Sequence, residues 1–483
     1  GGISFGKLNC TMEEAIVMYP WPMTSHITPF VRLAEFILSR RSSLAVVILL
    51  PPHRIDSNST ATIDSYTSKI YALHPSIKFH LLPTEIPPPP PTGLGPVGFR
   101  ALRQSNPSLQ QALEKLSKSY TILAFVIDYL STCALSVSSR LNTPTYFFFP
   151  SPAGCLAFFI YLTTLHSSTT KSFQEMGKSL LRVPGIPPIA AGDLPDPLLD
   201  RHFEAYSYIF EFSESIPSSK GILVNTFEAL ESRTVRAIRE GLCLPGQVTP
   251  PVFCTGPLVV SERHRDKAES EQECLRWLDL QSPNSVVYLS FGSVGVFSKE
   301  QMNEIATGLE SSEQPFLWVV RPPPSKEVDS LLPEGFIERV GDRGFLLKSW
   351  APQVAILEHP AVGGFVTHCG WNSILEAVGA GVPMIAWPLY AEQRLNRVLL
   401  VKEMKIALWM EEDDNGFVGR QGLEKQVKAM ADKVVGEGLR RRCEAMKTAA
   451  HENDSRWILR RRFGELLIFL EQNKSTFMNI TNF

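Results

Sequence analysis

The stretch "THCGWNSILE", Thr367 to Glu376, brings an imidazole, a thiol, an indole, an amide, a hydroxyl and a carboxylate together. The apolar run "GGFVT" leads into it and the amphipathic run "NSILEAVGA" overlaps its end, so these groups fall where a strand hands over to a helix. The first amides of a helix have no partner inside it and carry the positive end of its dipole. A phosphate is well satisfied there. His368, Asn372 and Ser373 can add side-chain donors, and Gly370 lets the backbone come close. Glu376, four residues after Asn372 and so on the same helix face, has the chemistry needed to grip a ribose diol. Taken singly, the same residues also fit an ordinary N-capped helix with an incidental tryptophan.

Such a turn needs buried strands to hold it, and the chain supplies two series of them. "AIVMYP" from Ala15, "LAVVILLPP" from Leu44, "SIKFHLLP" from Ser76, "ILAFVID" from Ile122 and "TPTYFFFP" from Thr143 alternate with helical segments such as "HITPFVRLAEFILSRR". Continuous apolar runs separated by helices predict a parallel sheet covered on both faces. The rhythm is broken by "TEIPPPPPTGLGPVG" from Thr84, which reads as a surface loop. After "ILVNTFEAL" and a helix to about Gly241, residues 246–275 turn rich in Pro, Gly and charge, as connectors do. The alternation restarts with "SVVYLSFGS", "PFLWVV", "GFLLKSW", "GGFVTH" and "PMIAWP". The expected fold is α/β, with two doubly wound Rossmann-like domains facing across a cleft. They span residues 1–245 and 276–460, and a terminal helical stretch over 461–483 is expected to pack back on the first. Open α/β sheets bind ligands beyond the carboxyl ends of their strands, so two facing edges would hold two substrates.

At 483 residues, two domains are the natural expectation, and 44% hydrophobic residues suffice for packed cores. The 47 basic and 49 acidic residues are well mixed, with a net charge of −2. That balance argues against nucleic acid or an anionic membrane as partner. Eight scattered cysteines without CxxC pairs argue against a metal cage or a disulfide framework. "AGCLAFFIYLTTL" is too short to span a bilayer. No signal peptide is expected, the residues before Met12 are set aside, and a cytoplasmic monomer is the expectation.

The longer run "SWAPQVAILEHPAVGGFVTHCGWNSILEAVGAGVPMIAWPLYAEQ", Ser349 to Gln393, resembles almost residue for residue the signature box of plant UDP-sugar-dependent glycosyltransferases of secondary metabolism. The likeness continues through "YLSFGS" and "RLNRVLLVKEMKIAL", close over the second domain and looser over the whole chain. It implies the GT-B fold and UDP-glucose as co-substrate, with no cofactor beyond it. Carried over by position, Trp350 would stack on uracil while Ala351 and Gln353 hydrogen-bond its edge. Glu376 would hold the ribose, and His368, Asn372, Ser373 and Ser293 would line the diphosphate beside Gly370. Trp371, Glu392 and Gln393 would meet the sugar, with Tyr390 in the same donor set. A box ending in Gln is similar to the glucose-preferring members.

Sugar transfer needs a stronger nucleophile and a stabilised leaving group. The helix amides and His368 can take the charge of the diphosphate. The sequence contains no Asp-x-Asp and no carboxylate cluster suited to Mg²⁺, and "EEDD" from Glu411 reads as solvated surface, so transfer is expected to be metal-independent. His26, after the first strand, is suited to take a phenolic proton. Asp128 ends "ILAFVID" in the same sheet and can orient it. The family's catalytic His and Asp fall on these two positions. Attack opposite UDP would give a β-glucoside through an oxocarbenium-like transition state.

The chain departs from the family around the base. "PWPMTSH" places Trp21, Met23 and Ser25 where relatives carry small residues or glycine, with Trp21 expected to add bulk near the acceptor. Pro150 replaces a Thr or Ser that can touch the sugar, and Ser151 is next in line to substitute. Phe147, Phe148, Phe149, Phe158 and Phe159 are expected to be mostly core, with the strand-end ones walling a flat aromatic acceptor. The first domain most resembles members acting on flavonoids, chalcones and related phenols. Oxygen attack is the family's commoner outcome, and carbon attack with the same His26 stays open as an alternative. A catalytically silent sugar-nucleotide binder is disfavoured by the presence of both His26 and Asp128. A nicotinamide oxidoreductase is disfavoured because no G-x-G-x-x-G directly follows an early strand with a downstream ribose-binding acid.

Overall fold

The computed structural model describes residues 12–51, 67–68, 70–72, 74–83, 96–259, 269–292, 295–322, 327–348 and 351–454. Within them lie two parallel sheets. The first has β1 (Glu13–Tyr19), β2 (Ala45–Leu50), β3 (Ile77–Leu81), β4 (Tyr120–Asp128), β5 (Thr145–Phe149), β8 (Ile222–Val224) and β9 (Val252–Cys254), in the order β3-β2-β1-β4-β5-β8-β9. A short antiparallel pair, β6 (Leu180–Leu181) and β7 (Ile189–Ala190), stands apart. The second sheet has β10 (Val286–Ser290), β11 (Phe316–Val319), β12 (Gly344–Leu347), β13 (Val362–Thr367), β14 (Met384–Ala386) and β15 (Ala407–Trp409), ordered β12-β11-β10-β13-β14-β15. In each the chain moves outward from a central strand and then returns to its other side. Those reversals lie between β1 and β4 and between β10 and β13, and they open the crevices that bind ligands in such sheets.

The strands are Val-, Ile- and Phe-rich because both faces are covered. β2 and β5 are buried at every position. The five phenylalanines noted in the sequence are all buried, each worth about 1.5–3 kcal/mol of removed apolar surface. The helix Ala153–Ser168 is apolar all round and accordingly buried along its first half. Its first amides find a carboxylate: Ala153 N and Gly154 N donate to the buried Glu231, each at 2.8 Å.

The connector read over 246–275 contains β9, the last strand of the first sheet. Pro250 and Pro251 beside it, and its length of three residues, hide the strand from any periodicity. The helix Val435–Asp454 packs on Trp371–Ala380 and reaches Glu228–Arg239 of the first lobe. The expected terminal helix over 461–483 lies outside the described residues.

Candidate active site

The sequence-predicted base and its orienter meet. β1 and β4 are neighbours, and Tyr19 pairs with Ile127, so the residues leaving both strands share one sheet edge. His26 sits on the first turn of the helix Thr24–Arg40, and its Nδ1 lies 2.7 Å from Asp128 Oδ2. The other carboxylate oxygen accepts from Leu130 N at 2.9 Å, which locks Asp128 in place at the head of the 3₁₀ turn Tyr129–Ala134. Asp128 is fully buried, whereas His26 is only partly so. Burial alone would depress the imidazole's pKa. The Asp128 charge and hydrogen bond overcome that, Glu392 adds to them, and the net shift is upward.

Beside the base lies an aromatic cluster. Tyr129 packs on His26 with centroids 6.1 Å apart, and on Phe149 at 4.6 Å, Phe212 at 5.4 Å and Phe159 at 5.7 Å. Phe149 is the anticipated strand-end ring, and Phe159 lies on the helix that follows. Trp21 lies elsewhere: it is fully buried, tilted against Phe99 at 4.8 Å, so its bulk fills the core instead of the acceptor space.

The second lobe supplies the turn. Gly370 caps Trp371–Ala380 without a side chain, so the first-turn amides are left for another acceptor. The His368 ring is buried over this turn, and burial pushes its pKa down to about 4 against a small opposing pull from the Ser290 backbone. Among the described residues its Nδ1 has no well-formed hydrogen bond. Its Nε2 is flanked by Gly292 and Gly370; a Cβ on Gly292 would lie 2.7 Å from that nitrogen, and one on Gly370 would fall against it too. Glycine at both positions makes room for a neutral imidazole. Gly292 also has φ +74°, which favours glycine.

Gln353 gathers the far side of the same helix. Its Nε2 donates to Glu376 Oε2 at 2.6 Å and to Ser373 Oγ at 2.9 Å, and Tyr288 donates to its Oε1 at 3.2 Å. Ala351 is buried nearby, ahead of Gln353 in the chain. Ser293 and Trp350 lie outside the described residues.

The residues expected to meet the sugar each have protein partners in this structure. Trp371 spends its indole N–H on the carbonyl of Asn225 in the first lobe, at 2.6 Å, and its ring is core. Its indole N–H therefore joins the lobes, while its backbone amide stays among those at the helix start. Gln393 is buried, and its Oε1 accepts from Leu389 N and Tyr390 N, each at 2.9 Å, which shapes the loop. Tyr390 faces the His368 ring at 6.2 Å. Glu392 reaches across to the first lobe, where Ser151 Oγ donates to it at 2.8 Å. Asn372 Nδ2 lies 3.4 Å from the carbonyl of Ser25, beside the base. The start of the helix Trp371–Ala380 and the segment leading to His26 are therefore next to each other across the cleft.

Sequence reasoning missed Asn225 and Asn396, which have no signature of their own. Asn396 Nδ2 donates to the Cys369 carbonyl at 2.9 Å. Among the described residues no three His, Cys, Asp or Glu side chains group as metal ligands, and no helix is long and apolar enough to cross a membrane.

Two doubly wound lobes, with an acid-paired imidazole facing an uncapped helix start, define a GT-B enzyme that handles a nucleotide-sugar. Residues 258–433 match the family described as UDP-glucoronosyl and UDP-glucosyl transferase. Phloretin 2'-O-glucosyltransferase of Pyrus communis is 43% identical over 465 residues, covering 90% of this chain and 95% of that protein. Anthocyanidin 5,3-O-glucosyltransferase of Rosa hybrid cultivar is 41% identical over 444 residues, covering 89% and 93%. The solved structure of Phytolacca americana UGT2 complexed with UDP-2fluoro-glucose and pterostilbene superposes with a TM-score of 0.84 at 34% identity, covering 95% of this chain and all of that one. The chain belongs to the plant UDP-glycosyltransferases of secondary metabolism, and it takes a sugar nucleotide and a small acceptor.

Proposed function

We propose that the protein transfers glucose from UDP-glucose to a hydroxyl of a phenolic, flavonoid-type acceptor, with inversion, giving a β-O-glucoside. The observation that carries this reading is the His26–Asp128 pair at 2.7 Å, lying beside the turn that starts at Gly370. The acceptor ring lies against Tyr129 and the strand-end phenylalanines, with its hydroxyl toward the free Nε2 of His26. His26 takes the hydroxyl proton as oxygen attacks the anomeric carbon, and Asp128 balances the imidazolium that forms. On the opposite face the C1–O bond breaks, and the diphosphate keeps the electron pair. Its charge is received by the amides of Trp371–Ala380 together with the Nε2–H of neutral His368. A neutral imidazole suits that task, since it donates a hydrogen bond without needing to lose a proton later.

On the uridine side, Gln353 and Glu376 hold base edge and ribose with Trp350. Glu392 and the Nε2 of Gln393 serve the sugar. Oxygen as the attacking atom is supported by the relatives named as O-glucosyltransferases, on phloretin and on anthocyanidin. The domain division supporting this arrangement runs from the first lobe through the charged segment after β9 into the second. The test is incubation with UDP-glucose and a panel of phenols, followed by acid. The proposal expects products that revert to free phenol and glucose; acid-stable glucosides would contradict the O-linkage, and absence of UDP release with every phenol would contradict the acceptor class.

A further inference from the structure

Asn396 lies on the helix Gln393–Val398, outside the signature box, and it is fully buried with both ends of its amide engaged. Its Nδ2 donates to the carbonyl of Cys369 at 2.9 Å, and its Oδ1 accepts from the Cys155 thiol at 3.2 Å. A carbonyl can only accept, so the NH₂ must face Cys369.

Cys369 is the middle of the His368–Gly370 turn. Its φ is +65°, a left-handed conformation that costs a non-glycine residue of order 1–3 kcal/mol and needs surrounding contacts to persist. Its thiol side is packed in the second-lobe core and its N–H donates to Thr367 Oγ1 at 3.2 Å. Asn396 supplies the partner for the remaining backbone group. The direction of that carbonyl fixes where the imidazole before it and the helix start after it point.

The other end of the amide is tied to the opposite lobe. Cys155 belongs to Ala153–Ser168, and its neighbour Gly154 lies against Leu399, with so little room that a Cβ would fall 2.5 Å from Leu399 Cδ1. The Ser151–Glu392 bond closes the same seam.

We propose that Asn396 is a positioning residue of the donor site. It holds the Cys369 carbonyl, and through it the turn that receives the diphosphate, while Cys155 fastens this clamp to the acceptor lobe. The inference rests on the diphosphate reading of that turn. Neither residue touches the donor, and both act through the backbone of Cys369.

The test is calorimetric titration of UDP into the full chain, native and as N396D, C155A, C155S and H368A, alongside thermal melts. N396D keeps the side chain's shape but sets an acceptor against an acceptor. It is expected to weaken UDP binding by about tenfold or more, the scale of one unmade buried hydrogen bond passed on to the site. A residue that only stabilised the fold would lower the melting temperature and leave the affinity of the folded protein unchanged. C155A is expected to weaken UDP by about threefold, and C155S, whose hydroxyl still donates, to stay near native. UDP affinity in N396D within about twofold of native, with H368A strongly impaired, would overturn the clamp and leave the diphosphate reading standing. Equal UDP affinity in native protein and H368A would overturn that reading as well. Should N396D fail to fold, C155A decides: affinity equal to native would overturn the proposal.

Discussion

The two histidines, His26 in the first lobe and His368 in the second, are the same residue in opposite surroundings. His26 leans on a buried carboxylate at 2.7 Å, and its pKa is raised even though burial pulls the other way. Among the described residues His368 has no charged partner, and burial takes it down to about 4. The first is therefore easily protonated and suits a proton acceptor. The second stays neutral across the working range and suits a fixed donor to a diphosphate. What separates them is chiefly the carboxylate at the end of β4, with Glu392 adding to it, which shows how little sequence is needed to give two imidazoles different tasks.

Exchanging or removing these features should break the contrast in a graded way. His26→Ala is expected to lower kcat by about 10³-fold, within the range for a general base, while UDP affinity measured by calorimetry stays near native. Asp128→Asn should cost about 10²-fold in kcat. It should also move the acid limb of the kcat/KM profile to lower pH, because the carboxylate that raises the His26 pKa is gone. His368→Ala should weaken UDP by about tenfold, with the position of that acid limb unchanged. Ser151→Ala should raise KM for UDP-glucose by about threefold without changing UDP affinity, since Ser151 orients Glu392 on the sugar side only.

His368 also predicts a stability effect of definite sign. With a folded pKa of about 4 against about 6.5 unfolded, the unfolded chain binds more protons between those values. Its contribution to stability is present above pH 6.5 and lost as pH falls toward 4, whereas His26, with its raised pKa, contributes in the opposite direction. His368→Asn should therefore flatten the acid-side fall of the melting temperature.

Legibility in the sequence followed distance along the chain. The strand–turn–helix around His368 could be read because its three parts are contiguous, and each leaves its own periodic or glycine signal. The two sheets were visible for the same reason. His26 and Asp128 stand 102 positions apart, and they could be joined only by placing both after adjacent strands and by the family likeness. The bonds between lobes left no trace: Trp371 to Asn225 spans 146 positions, and Ser151 to Glu392 and Cys155 to Asn396 span 241 each. A hydrogen bond between remote elements imposes no spacing on either. For the same reason the burial of Trp21, expected to add bulk near the acceptor, could not be read from the sequence.

The most direct measurement is an NMR titration of selectively labelled histidines in the full chain, assigned with the His26→Ala and His368→Ala variants. The account predicts that His26 titrates above its ordinary value of about 6.5 and drops when Asp128 becomes Asn, while His368 remains neutral well below pH 6. A His368 that titrates above His26, or a His26 indifferent to Asp128, would contradict it.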